Sequence, residues 1–181
     1  MLSVNSCASV RRRTSRAKNI SQGSSGSSPD HQPAITAPVP TLTELNRLSP
    51  AEARDFFFSC CGSSRWAEGM AACRPFWDIR IVFNAADVIW QYLGAEDRRE
   101  ALRNRAAIEL DGMSESLRDD LDLYRNRFGY EFVAASPPHS TGELQEAVRR
   151  RLEYPPAADF ELSAAEALAI MRDEIRKRLR V

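Results

Sequence analysis

From Thr41 onward, helix-start and helix-stop signals recur so closely that the chain can build only short helices. Thr41 with Glu44, Ser49 with Glu52, Ser140 with Glu143 and Ser163 with Glu166 have capping-box spacing, and Pro50 suits a first helical position. Stops stand at Gly62, Gly94, Gly112, Gly129 and Pro155-Pro156. Between these signals the apolar residues repeat every three or four positions. Leu42, Leu45 and Leu48 mark one stripe, and Ala53, Phe56 and Phe57 mark a second. Later stripes are Leu117, Leu121, Tyr124 and Phe128, then Leu144, Ala147, Val148 and Leu152, then Leu168, Met171, Ile175 and Leu179. The longest, Ile79, Val82, Phe83, Ala86, Ile89, Trp90 and Leu93, predicts a central core helix. Glu96 to Asp111 alternates arginines with acids and predicts a solvated helix. Tyr130 to Val133 is the one extended piece and is too short to define a sheet. The expected fold is all-α, an irregular bundle of seven to nine short helices.

This patterning begins only after a different kind of sequence. Residues 1–40 are rich in Ser, Arg, Pro and Gly, with five basic side chains against one acid, Asp30. Such a segment cannot bury enough apolar surface to offset its ordering entropy, so a disordered leader precedes a helical domain over 41–181. Its composition fits either an organelle transit peptide or an ordinary leader, and no apolar region follows the charges as in a secretory signal. The remainder of the chain is mildly acidic, which argues against nucleic-acid binding by the domain, and no apolar run is long enough to span a membrane.

The catalytic inventory is thin. His31 lies in the leader and His139 in a loop before a helix cap, so no pair of histidines has metal-ligand spacing, and neither a metal nor a cofactor is expected. Cys7, Cys60, Cys61 and Cys73 form no disulfide framework, and Cys60 and Cys61, without a local base, read as small core residues rather than nucleophiles. Arg149, Arg150 and Arg151 make a basic run. It reads either as a solvated face with one arginine folded inward or as a carboxylate clamp.

The stretch CCGSSRWAEGMAACRPF (Cys60–Phe76), with Leu45-Asn46 ahead of it, resembles the N-terminal part of the OHCU decarboxylase family, especially its plant form. OHCU is 2-oxo-4-hydroxy-4-carboxy-5-ureidoimidazoline, which that family converts to S-allantoin in urate breakdown. Tyr124 to Val133 resembles a second family segment, and Ser140 to Glu161 a third, so the likeness covers about residues 42–181. It implies an all-α, cofactor-free and commonly dimeric protein acting on a small ureidoimidazoline. It also implies substrate contacts from Arg151 and from the backbone around Phe132 and Val133.

The family's histidine and its Glu-Gln pair have no clear counterparts. One register puts Arg105 and Ala106 where the family has His-Pro, with the Glu-Gln segment missing before Gly112. Another brings Glu100 near the glutamate position and abandons the histidine. Arg105 and Glu100 are therefore the candidate catalytic positions. Three readings stand: a decarboxylase whose catalytic groups are replaced, a same-fold binding module or dimerising partner of an active paralogue, and an incomplete form of an active enzyme. The leader points to a plastid or mitochondrion. Plant relatives are peroxisomal, but Leu179-Arg180-Val181 does not resemble a Ser-Lys-Leu signal, and the cytosol is a further alternative.

Overall fold

The structure is a computed structural model that describes residues 40–179 apart from Glu109 and Pro137. The expected leader lies outside the described residues except for Pro40, as do Arg180 and Val181 of the terminal tripeptide. The described residues form eight helices and no strand. They are α1 (Leu42–Arg47), α2 (Pro50–Cys61), α3 (Ser64–Ala72), α4 (Ile79–Tyr92), α5 (Ala95–Arg103), α6 (Glu115–Phe128), α7 (Thr141–Leu152) and α8 (Pro156–Arg178). No helix among them is long and apolar enough to cross a membrane.

The starts follow the side chains that can satisfy free backbone N–H groups. Thr41 and Ser49 form reciprocal capping boxes with Glu44 and Glu52, while the hydroxyls of Ser63, Ser114 and Ser140 cap α3, α6 and α7. Gly62 and Gly129 end α2 and α6 with φ of 79° and 81°, a left-handed conformation that costs a residue with a Cβ. The Arg-Pro-Phe that follows α3 serves packing. Arg74 donates to the carbonyls of Leu45 (2.9 Å) and Leu48 (2.7 Å) at the end of α1. The Asn46 amide brackets the Phe76 backbone, donating to its carbonyl at 2.6 Å and accepting from its N–H at 2.8 Å.

Three expectations are corrected. The central helix is α8, not α4. Within α4 itself only Val82, Ala86 and Trp90 are buried, whereas α8 packs against α2, α4, α5 and α6 and buries Phe160, Ala164, Ala167, Met171 and Ile175. Ser163 does not cap the last helix, which begins two turns earlier at Pro156, where a missing N–H costs nothing. It is instead fully buried inside α8. The polar helix ends at Arg103 and not near Asp111, because Asn104 and Arg105 turn away to bond the Gly62 carbonyl (2.8 Å) and the Ala167 carbonyl (3.2 Å). Tyr130 to Val133 is irregular, and its aromatic side chains are buried.

Candidate functional site

The end of one helix and two irregular pieces of chain meet one face of α8 and leave a cleft of about 560 Å³. One wall is the end of α2 with Gly62, and a second is the connection after α5, from Asn104 to Ile108. The third is Phe132 to Ala134, and α8 contributes Ile170 and Glu174. Gly62 shapes the first two walls together, since a Cβ there would lie 2.9 Å from the Asn104 Cβ.

The third wall is held from behind. Tyr130 donates its hydroxyl to Asp159 at 2.9 Å, and the Ala135 N–H donates to Glu166 of α8 at 2.5 Å. Glu131 pairs with Arg125 at 2.5 Å. With both flanks fixed to helices, the backbone of Phe132 to Ala134 is presented to the cleft in one arrangement.

The sequence-derived site residues divide into two groups. Arg105, Phe132 and Val133 line the cleft together. Glu100 and Arg151 do not. The carboxylate of Glu100 accepts from the Ser64 N–H (3.0 Å) and hydroxyl (2.8 Å), satisfying the first turn of α3. Arg151 folds inward, 7% exposed, and pairs with the fully buried Asp159. Its Nη2 also donates to the Ser163 hydroxyl at 2.6 Å and to the Tyr124 hydroxyl at 3.1 Å. Asp159 further accepts from Tyr124 at 2.6 Å. The guanidinium carbon lies 5.3 Å from the Phe132 ring centroid, so the cluster supports the cleft from behind. The arginine is thus a clamp on a carboxylate of its own chain. His139 is exposed at the start of α7, away from the cleft.

The electrostatics are set by few groups. Burial pushes the Cys60 and Cys61 thiols up to about 12, so both stay neutral and unreactive near pH 7. Burial also lowers the Arg105 pKa, though a guanidinium remains protonated at neutral pH. Its Nη2 is spent on Ala167; among the described residues its Nε is buried without a partner and no hydrogen bond engages Nη1. Glu174 was not singled out by the sequence. Burial raises its carboxyl, but hydrogen bonds from Lys177 and Arg178 outweigh this and hold the pKa below the usual value. Its signal was present only as a polar interruption on the apolar side of α8. Among the described residues no cluster of His, Cys, Asp and Glu is placed to hold a metal.

The OHCU decarboxylase family profile matches residues 46–115, which span the Cys60–Phe76 stretch, Glu100 and Arg105. The 2-oxo-4-hydroxy-4-carboxy-5-ureidoimidazoline decarboxylase of Haloferax volcanii is 24% identical over 160 residues, covering 76% of this chain and 95% of that protein. Over these stretches the chain is similar to the OHCU decarboxylase family. A crystal structure of an OHCU decarboxylase in the presence of (S)-allantoin shares its fold, with a TM-score of 0.60 and 24% identity over 68% of this chain and 96% of that one. An (S)-allantoin synthase structure has a TM-score of 0.65 and 17% identity, covering 78% of this chain and 54% of its own. The segments Tyr124–Val133 and Ser140–Glu161 lie beyond the OHCU decarboxylase profile match.

Proposed function

We propose that the cleft binds the ureidoimidazoline carboxylate of purine breakdown, and that this chain is an OHCU decarboxylase family member that holds this ligand without accelerating its decarboxylation strongly. The observation that carries the reading is Arg105, a protonated guanidinium lining the cleft with one end unengaged. A planar fork of donors suits a carboxylate, and the neighbouring backbone of Phe132 to Ala134 can meet the ring.

The same residue limits the chemistry. Loss of carbon dioxide leaves an electron pair that the conjugated imidazoline can accept, after which a proton must reach one face of the carbon to give S-allantoin. That step needs a group exchanging protons near neutral pH. Arg105 cannot, the two thiols titrate far above it, and Glu174 is ionised. A missing positioned acid costs about a hundredfold to ten-thousandfold in rate.

The test supplies freshly generated OHCU to the full chain and follows the optical activity of the allantoin formed. S-allantoin is expected to form at close to the buffer rate and with little selectivity for the S form, because the positioned acid is missing. Saturating (S)-allantoin is expected to raise the melting temperature, and Arg105→Gln to weaken the binding of the carboxylate ligand itself. Fast, S-selective turnover overturns the binding-only reading in favour of a working decarboxylase with replaced groups.

The connection between α5 and α6 favours a second reading, an incomplete form of an active enzyme. Its described residues between Asn104 and Ser114 are not helical, and Ala106, Ala107, Asp111 and Gly112 are exposed. Transcripts carrying an in-frame Glu-Gln segment between Ile108 and Gly112 would support this reading; their absence across tissues would remove it. The acid-poor leader supports a plastid or mitochondrial address, tested by a fluorescent fusion with and without residues 1–40.

A further inference from the structure

We infer that Glu174 is the specificity-determining group of this cleft: it accepts N–H donors from a ligand whose carboxylate Arg105 holds, so that the site selects ureido carboxylates over carboxylates of the same shape without donors. The inference rests on the reading that the cleft takes a ureidoimidazoline carboxylate.

Arg105 and Glu174 are the charged side chains lining the cleft, they carry opposite charges, and no ion pair joins them. Two opposite charges that line one cavity and stay apart leave a gap that a dipolar ligand can bridge. The rest of the lining is uncharged, made of the Cys60 and Cys61 thiols, apolar groups such as Ile108 and Ile170, and the neutral Ser59 and Asn104. These supply no competing strong acceptor.

Glu174 has acceptor capacity to spare. Its Oε1 accepts from Lys177 at 3.1 Å and its Oε2 from Arg178 at 3.2 Å, while a carboxylate offers about four acceptor sites. Both partners are largely exposed, at 70% and 45% for their side chains, so these pairs are weak and do not exhaust the carboxylate. A ligand with urea N–H groups gains charge-assisted bonds there, whereas one with methylenes in their place buries an acceptor unsatisfied. That asymmetry makes a missing donor costly.

N-carbamoylglycine and levulinate test the idea, because they share a carboxylate and a carbonyl and differ by two N–H-bearing groups replaced with carbon. Calorimetric titration of the full chain is expected to show N-carbamoylglycine binding about tenfold or more tightly, the size of a charge-assisted hydrogen bond. Glu174→Gln should reduce that ratio severalfold, while Arg105→Gln should weaken both ligands alike. A wild-type ratio near one, no binding of either probe, or a ratio unmoved by Glu174→Gln overturns the inference. The last result with a lowered melting temperature would assign Glu174 to holding the end of α8 through Lys177 and Arg178. A chain that binds OHCU with a ratio near one sinks the role of Glu174 alone. An intact ratio without OHCU binding sinks the ureidoimidazoline reading instead.

Discussion

At the scale of single residues, the largest stored penalty is the Arg151–Asp159 pair, because removing one member strands the other in a site where water cannot replace it. Arg151→Met is expected to cost about 3–5 kcal/mol in urea unfolding. The double variant Arg151→Met/Asp159→Leu should recover much of that loss, since both desolvation penalties then disappear together. If the double variant is no more stable than the single one, the stranded carboxylate is not the cause. The thiols give a second expectation. With Cys60 and Cys61 buried and their thiolates disfavoured, iodoacetamide at pH 8 should modify neither until denaturant is added. Rapid labelling in the native chain would show that the cleft opens widely.

At the scale of elements, the joints around the cleft matter more than the helices themselves. Gly62 and Gly129 share a left-handed conformation but differ in surroundings. Alanine at 129 meets nothing within 4 Å and should cost only the conformational term of about 1–2 kcal/mol. Alanine at 62 must also displace Asn104, so it should cost more and loosen the tie between the α2–α3 joint and the end of α5. Equal melting temperatures for the two variants would contradict this. Glu100 belongs at the same scale, since its structural partner is the first turn of α3. Glu100→Gln is expected to lower stability by about 1 kcal/mol, as loss of a charged cap does. Loss of ligand binding with stability unchanged would return Glu100 to the site.

For the molecule as a whole, the buried thiols link stability to alkaline pH. Their folded pKa values of about 12 lie above the ordinary thiol value of 9.0, so the folded state holds protons that the unfolded state releases. The stabilisation is fully present below about pH 9 and is lost as pH rises through about 12. The urea midpoint should therefore fall between pH 9 and pH 11, and the fall should begin at lower pH than tyrosine ionisation alone allows. Burial first, then the bond to Asp159, raises the Tyr124 pKa; burial and the nearby Asp159 charge raise that of Tyr130. A flat midpoint across this range would mean that the thiols are not sealed in the native state.

Helix class, the capping serines and the stop glycines were legible because capping and backbone preference act within a few residues. Thr41, Ser49 and Ser140 cap as their spacing suggests, and Gly62 and Gly129 take the left-handed cap. The family likeness at Cys60–Phe76 was equally local. Only tertiary packing decided that Ser163 sits mid-helix beneath Arg151, that α8 is the centre of the bundle, and that the helix after Gly94 stops at Arg103. The site divides the same way. Sequence proposed Arg105, Phe132 and Val133 as separate points, and the fold brings them to one cleft; it sends Glu100 and Arg151 elsewhere and adds Glu174. The reason is one of range: a cap sees its own first turn, whereas a cleft is defined by four stretches spread from Phe58 to Glu174, whose meeting depends on the sum of all the helix packing.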